Sequence, residues 1–281
     1  MGFGVSLFAT DYSIRPDEFA RAAEERGFDS VFFPEHTHIP SSRRTPFPMG
    51  GELPQEYSHV HDLFVAMTAA AIATTRIKIG AGVCLVTEHD PIVLAKQAAS
   101  LDALSNGRLI LGIGAGWNAE EMEDHGVAFK TRWRVVGERV KAMRRIWTQD
   151  VAEFHGDFVN FEPIWCWPKP SRPGGPPVWM GSLSMKSLAR VVDYCDGWYP
   201  VGAEYEALSR RVGALREAAK RAGRPFEQID LAVAVVAQNE DTCKRLRDLG
   251  FSHLVLGIAS EARDKALAAL DRRASLVSKL R

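Results

Sequence analysis

The sequence predicts an α/β fold, a closed (β/α)8 TIM barrel of eight parallel strands, each followed by a helix. Three observations carry that expectation. Short apolar runs alternate with helical stretches eight times along the 281 residues. Several of those runs are apolar at every position, as in parallel strands covered by helices on both faces. The length is also close to the roughly 250 residues that such a barrel uses as one domain. No shift in composition marks a second unit, so 1–281 is expected to be a single barrel domain.

The elements follow in order. Strand-like runs lie at 3–8 (FGVSLF), 30–34 (SVFFP), 77–86 (IKIGAGVCLV) and 108–113 (RLILGI). Four more lie at 177–181 (PVWMG), 197–200 (GWYP), 230–237 (DLAVAVVA) and 253–258 (HLVLGI). Between them, 16–26 starts on Pro16 and stops before Gly27, the order of residues that opens and closes a helix. An Ala-rich helix is expected over 61–74, and Asp90-Pro91 starts another that runs to Leu104. Further helices are expected at 131–147, 184–195, 204–222, 240–249 and 261–279. Two insertions break the alternation, one after strand 2 (37–60) and one before strand 5 (149–176). The second contains a hairpin, AEFHGDFVNF, turning at Gly156-Asp157. Connections this long usually serve a pocket, although a packed flap or a dimer contact explains them equally well.

Charge and cysteine content exclude several partner classes. Lys+Arg and Asp+Glu are 35 each, so no basic surplus exists to hold nucleic acid or an anionic membrane. No apolar run reaches the ~18 residues of a membrane span, and the N-terminal stretch lacks the basic start of a secretory signal. The four cysteines (84, 166, 195, 243) form no Cys-x-x-Cys pair. That usage suits a reduced, cytoplasmic compartment.

Three motifs sit where barrel strands end. Gly112-Ile113-Gly114-Ala115-Gly116-Trp117 resembles a dinucleotide fingerprint but has Trp117 in place of the third glycine. What remains is either a tight turn or a stretch where backbone approaches a flat ligand. Glu35-His36-Thr37-His38 leaves strand 2. A His-x-His pair suits a metal hydrolase, but no histidine falls at the mouths of strands 5, 6 or 7, and His253 begins strand 8 at the wrong end. No metal is therefore expected, and Glu35-His36 is read as an acid–base pair over a cofactor or substrate. Met180-Gly181-Ser182, followed by Lys186 and Arg190 on a helix, offers an anion site or merely an ordinary helix cap. No Gly-x-Ser-x-Gly elbow or Walker-type loop occurs.

Taken together, SVFFPEHTHIP (30–40), residues 61–86, DPIVLAKQAASLDALSNGRLILGIGAGWNAEEM (90–122), PPVWMGS (176–182) and DGWYP (196–200) resemble the luciferase-like monooxygenase superfamily. Within it, the chain looks most like the branch of oxidoreductases that use the deazaflavin coenzyme F420. The resemblance implies a flavin-like cofactor in the C-terminal mouth, backed by a bulge with a non-proline cis peptide near Gly82-Val83. It further implies that Ala115-Gly116-Trp117 lies beside the ring, that Gly181-Ser182 holds the phosphate, and that Glu35 and His36 are catalytic. Sugar-phosphate dehydrogenases of the superfamily carry Glu where this chain has Trp117, so that carboxylate is missing here, with Glu120 and Glu121 one helical step further on. The implied activity is hydride transfer between F420 and a small organic substrate. The alternatives are an FMN-dependent monooxygenase using reduced flavin and oxygen, and a non-catalytic flavin-binding barrel. Small residues in 61–74 and 95–103 suit close helix packing, and a homodimer is expected.

Overall fold

The computed structural model describes residues 1–235 and 237–281. Its elements are β1 (Gly2–Leu7), α1 (Pro16–Glu25), β2 (Ser30–Phe33), α2 (Glu56–His59), α3 (Leu63–Ile72), β3 (Lys78–Ala81), β4 (Cys84–Leu85) and α4 (Pro91–Leu104). They continue with β5 (Leu109–Gly114), α5 (Ala119–Asp124), α6 (Arg132–Thr148), β6 (Ala152–His155), β7 (Asn160–Ile164), β8 (Val178–Met180) and α7 (Ser187–Tyr194). The last are β9 (Gly197–Trp198), α8 (Tyr205–Arg221), β10 (Asp230–Val235), α9 (Glu240–Asp248), β11 (His253–Ile258) and α10 (Arg263–Ser278).

The sheet runs β3-β2-β1-β11-β10-β9-β8-β5-β4 and closes through pairing of β3 with β5. Every pairing among these strands is parallel. β3 and β4 are one stave interrupted at Gly82-Val83, so the barrel has eight staves, as the sequence predicts. The expected strand 77–86 is thus split, and position 236 of the expected strand 230–237 lies outside the described residues. β6 and β7 form the expected antiparallel hairpin outside the barrel. The helix expected from 184 begins at Ser187, because hydroxyls of Ser182 and Ser184 accept from the Ser184 and Lys186 N–H groups and hold that stretch as a turn.

Local chemistry sets the ends of the helices that matter below. Asp90 accepts from the Ile92 and Val93 N–H groups at the start of α4, and Asp62 accepts from Val65 N–H at the start of α3. Inside the barrel, Phe32, Ile110, Trp179, Tyr199, Ala232 and Val255 form the filling. Phe32 stacks on Trp179 and Tyr199, and His253 abuts Phe32 and Trp179 from the N-terminal end. His253 is buried there against the Ser30 hydroxyl at 2.7 Å, and burial holds it down to about 4, so it is neutral. Its position at the foot of the barrel agrees with its exclusion from the mouth. All four cysteines are buried and free, and no helix among the described residues is long and apolar enough to cross a membrane.

Candidate active site at the barrel mouth

The floor of the mouth is the break between β3 and β4. The Gly82–Val83 peptide is cis, and both residues are only half-buried, so they face open space above the aromatic filling. A Cβ on Gly82 would lie 3.2 Å from Phe32 Cβ and 3.4 Å from the Tyr199 hydroxyl, so this backbone rests directly on that filling. The Val83 side chain turns inward across the ends of β5 and β8. A Cβ on Gly114 would come within 2.9 Å of Val83 Cγ2, and one on Gly181 would overlap Val83 Cγ1. At Gly112 it would overlap the Ala81 carbonyl oxygen. The glycines within β5 and just after β8 therefore make room for the bulge itself, a different reason from close approach of a ligand. Gly116, with φ of 76°, is the left-handed turn that frees the chain from β5. The Thr87 hydroxyl holds that turn by donating to Ala115 O at 3.1 Å.

Glu35 and His36, adjacent at the tip of β2, have separate surroundings. Glu35 is buried and accepts from Leu85 N–H at 2.5 Å, while its other oxygen lies 2.8 Å from His89 Nε2. It therefore ties the tip of β2 to the far side of the bulge. Burial alone would push His89 down, but the hydrogen bond and charge of Glu35 outweigh it and raise His89 above its ordinary value. Glu35, Cys84 and His89 also bring three ligand-type atoms within 4.8 Å of one another, a trio the sequence did not suggest. Glu35 is engaged by Leu85 and His89, and burial drives the Cys84 thiol strongly toward its protonated form. The three read as a satisfied hydrogen-bond network in the wall.

His36 sits at the mouth. Its Nδ1 lies 2.8 and 3.0 Å from the two carboxylate oxygens of Glu121, and its Nε2 has no partner among the described residues. The ring packs beside Tyr57 (5.1 Å between centroids) and edge-on to Trp117 (5.9 Å). Glu121 is 1% exposed on α5. A third carboxyl, Glu88, lies in the same wall with Oε2 unpartnered. Burial, then the charges of Glu121 and Glu35, push it up to about 9 against the opposing effect of Thr37. Asn118, 1% exposed, leaves both amide atoms without a protein partner among the described residues.

The first insertion closes over this site. Arg44 pairs with Glu120 at 2.8 Å and Glu123 at 3.2 Å, His38 with Asp124 at 3.0 Å, and Thr37 with His125 at 2.8 Å. These contacts zip residues 37–45 onto α5. Phe47 and Tyr57 then pack edge-on against Trp117, Phe8 meets Tyr57 at 4.8 Å, and the Arg43 guanidinium lies 5.5 Å from the Trp117 ring centre. Trp117 is thus one wall of an aromatic box. Trp165 and Trp167 lie outside this box, 82% and 54% exposed on the outer segment after the hairpin.

At Ser182, the carbonyl accepts from Trp198 Nε1 at 2.9 Å while the hydroxyl caps Ser184 N–H at 3.3 Å. One turn into α7, Arg190 sits over Trp133, and its positive charge acts on Arg132. Each of these arginines has a buried nitrogen without a protein partner among the described residues. Two open indentations lie elsewhere, about 670 Å³ at the foot around Lys78, Asp230 and His253, and about 860 Å³ around Arg144, Tyr194 and Arg224. Neither includes any strand-end residue of the mouth.

Comparison with known proteins adds a family. The family model described as luciferase-like monooxygenase matches residues 15–276. An uncharacterized protein of Mycobacterium tuberculosis is 37% identical over 279 residues, covering 98% of each chain. An F420-dependent glucose-6-phosphate dehydrogenase of Amycolatopsis mediterranei is 29% identical across 83% of this chain and 68% of its own. Among solved structures, an F420-dependent secondary alcohol dehydrogenase in complex with an F420–acetone adduct superposes with a TM-score of 0.81 at 20% identity, covering 100% and 99% of the two chains. A monooxygenase from Streptomyces bottropensis superposes at 0.80 with 19% identity, covering 99% of each.

Proposed function

The chain belongs to the luciferase-like monooxygenase family, and from that premise we propose that it is an oxidoreductase moving a hydride between coenzyme F420 and a small organic substrate. The observation that carries this reading is His36. It is the imidazole at the mouth whose Nε2 is uncommitted, set inside an aromatic box beside a half-buried backbone floor. F420 is preferred over FMN because the Amycolatopsis relative is named for that coenzyme. An FMN-dependent monooxygenase is the second reading, favoured by the fold shared with the Streptomyces monooxygenase.

The residues present fit such a cofactor. Gly82-Val83 would carry the ring, with Ala115, Gly116 and Trp117 at its side and the unpartnered Asn118 amide free to pair with a polar edge. Gly181 and Ser182 would hold the phosphate, helped by the unpaired nitrogens of Arg190 and Arg132. When bound, a deazaflavin supplies a ring carbon that gives or accepts a hydride. The protein's part is to exclude water with Phe47, Tyr57 and Trp117, and to move the accompanying proton at His36 Nε2. Glu35 shapes the floor through Leu85 N–H and acts on the chemistry through that shape.

The test is titration of the purified protein with oxidised F420 and, separately, FMN, followed by fluorescence. Saturable F420 binding is expected. Tight binding of FMN alone would select the second reading, and saturable binding of neither would favour a non-catalytic barrel. We further propose a cytoplasmic homodimer meeting through α3 and α4, where Val65, Ile72 and Val93 are 65%, 68% and 52% exposed.

A further inference from the structure

We propose that Glu121 is a positioning residue that fixes the tautomer of His36, so that the neutral ring presents a bare Nε2 to the mouth. This deepens the proposed function, since it rests on His36 as the proton-handling group there. An ionised carboxylate accepts hydrogen bonds and donates none. With two of its oxygens 2.8 and 3.0 Å from Nδ1, that nitrogen carries a hydrogen in either charge state of the ring. Nε2 is then the single atom of His36 that gains or loses a proton, and it has no partner among the described residues. Tyr57 and Trp117 flank the ring with aromatic surface and supply no competing carboxylate.

Glu121 fills this role as a carboxylate, the form that only accepts. One further buried carboxyl, Glu88, feels the charges of both Glu121 and Glu35. Glu35 is held by Leu85 N–H and His89. Glu88 has an unpartnered oxygen and is the one driven toward its neutral form. That leaves the two-oxygen contact with His36 Nδ1 as the role of Glu121. The residue sits four positions beyond Trp117. The chain thus supplies the carboxylate missing at 117 from behind the imidazole, where it orients the ring without touching the cofactor's space.

The experiment is ¹⁵N NMR of the histidine side chains in the labelled protein without added cofactor, with His36 assigned by its loss in His36→Phe. At the alkaline end of a pH titration, Nδ1 should show the protonated, pyrrole-type shift and Nε2 the bare, pyridine-type shift. The reverse pattern would mean that Glu121 carries the proton and donates it, and would overturn the proposal. In Glu121→Gln the fixed pattern should collapse to a mixed pair of shifts, and an unchanged pattern would also overturn it. Where F420 turnover is measurable, Glu121→Gln should lower kcat by roughly 10²–10⁴-fold, the range over which a mis-set tautomer disables a general base, with KM within about threefold. The wild-type spectrum needs no variant to fold. A negative cofactor titration beside the expected tautomer would remove the proposed function and leave the positioning role intact.

Discussion

Glu88 makes the pH dependence of stability a quantitative test of the wall behind His36. Its ordinary value of 4.5 is pushed up to about 9, first by burial and then by the charges of Glu121 and Glu35. The folded protein therefore keeps a proton that the unfolded chain releases above 4.5. A raised folded value contributes stability that is fully present below 4.5 and is lost as pH rises through about 9. Each pH unit in that window is worth about 1.4 kcal/mol. At pH 7 the loss is about 3 kcal/mol, and because the folded value lies above 7, the figure is set almost entirely by the unfolded one. Glu88→Gln keeps the shape and neutrality of the buried acid and cannot ionise when unfolded. It should match the wild type within about 1 kcal/mol at pH 5 and exceed it by about 3 kcal/mol at pH 7, rising further at pH 8. Urea unfolding followed by tryptophan fluorescence at pH 5, 6, 7 and 8 would read this as a midpoint difference on the order of 1 M at neutrality. A constant difference across that series would show that Glu88 ionises in the fold, and would remove the basis for assigning the buried proton to it.

Other expectations concern the floor, the acid–base group and the assembly. His36→Phe should leave cofactor affinity within a few-fold but reduce turnover by about 10²–10⁴-fold, and unchanged turnover would end its proposed role. Gly181→Ala should destabilise by about 1–3 kcal/mol through overlap with Val83 Cγ1, and adding Val83→Ala should recover at least about 1 kcal/mol of that in a double-mutant cycle. Gly112→Ala meets the Ala81 carbonyl instead, so Val83→Ala should give it no such relief; equal rescue of both would contradict the packing described. Val65→Glu combined with Ile72→Glu should convert a dimer to a monomer in sedimentation, whereas a wild type that sediments as a monomer would dispose of the dimer proposal.

How much was legible in the sequence depended on the range of the interaction. Staves such as β5, apolar at every position, announce themselves because burial on both faces removes the need for polar alternation. The start of α4 is equally local, since Asp90 and Pro91 act within one turn. The break between β3 and β4 was hidden within an uninterrupted apolar run, and only resemblance pointed to Gly82-Val83. α2 and α5, of four and six residues, carry too little periodicity to register. Glu121 cannot be told from Glu120 in the sequence for a related reason. Its partner lies 85 residues away, and nothing in the spacing of Glu120 and Glu121 says which one turns inward. Burial decides it, with Glu121 facing His36 while Glu120 holds Arg44 and the Thr45 N–H at the surface of the insertion.

Structural duties occupy most of the polar groups at the mouth and leave few free for chemistry. Glu35, read from sequence as half of a catalytic pair, is drawn into the wall because the break at Gly82-Val83 leaves Leu85 N–H in need of an acceptor, and buried donors are rarely left alone. His89 then balances that carboxylate. His38, Thr37 and Glu120 are used in fastening the insertion to α5. Gly114 at the end of β5 and Gly181 after β8 are used in accommodating Val83. Subtracting these structural duties from the strand-end motifs leaves His36 Nε2 and the Asn118 amide without a partner among the described residues, while Arg43, Arg132 and Arg190 each keep buried nitrogen unpaired beside their aromatic contacts. A neutral chain with no net field to attract an anion must hold one through local groups of this kind. On the proposed function His36 Nε2 would handle the proton and these buried nitrogens would meet an anion, a division suited to a protein that positions a cofactor and leaves the bond-making to it.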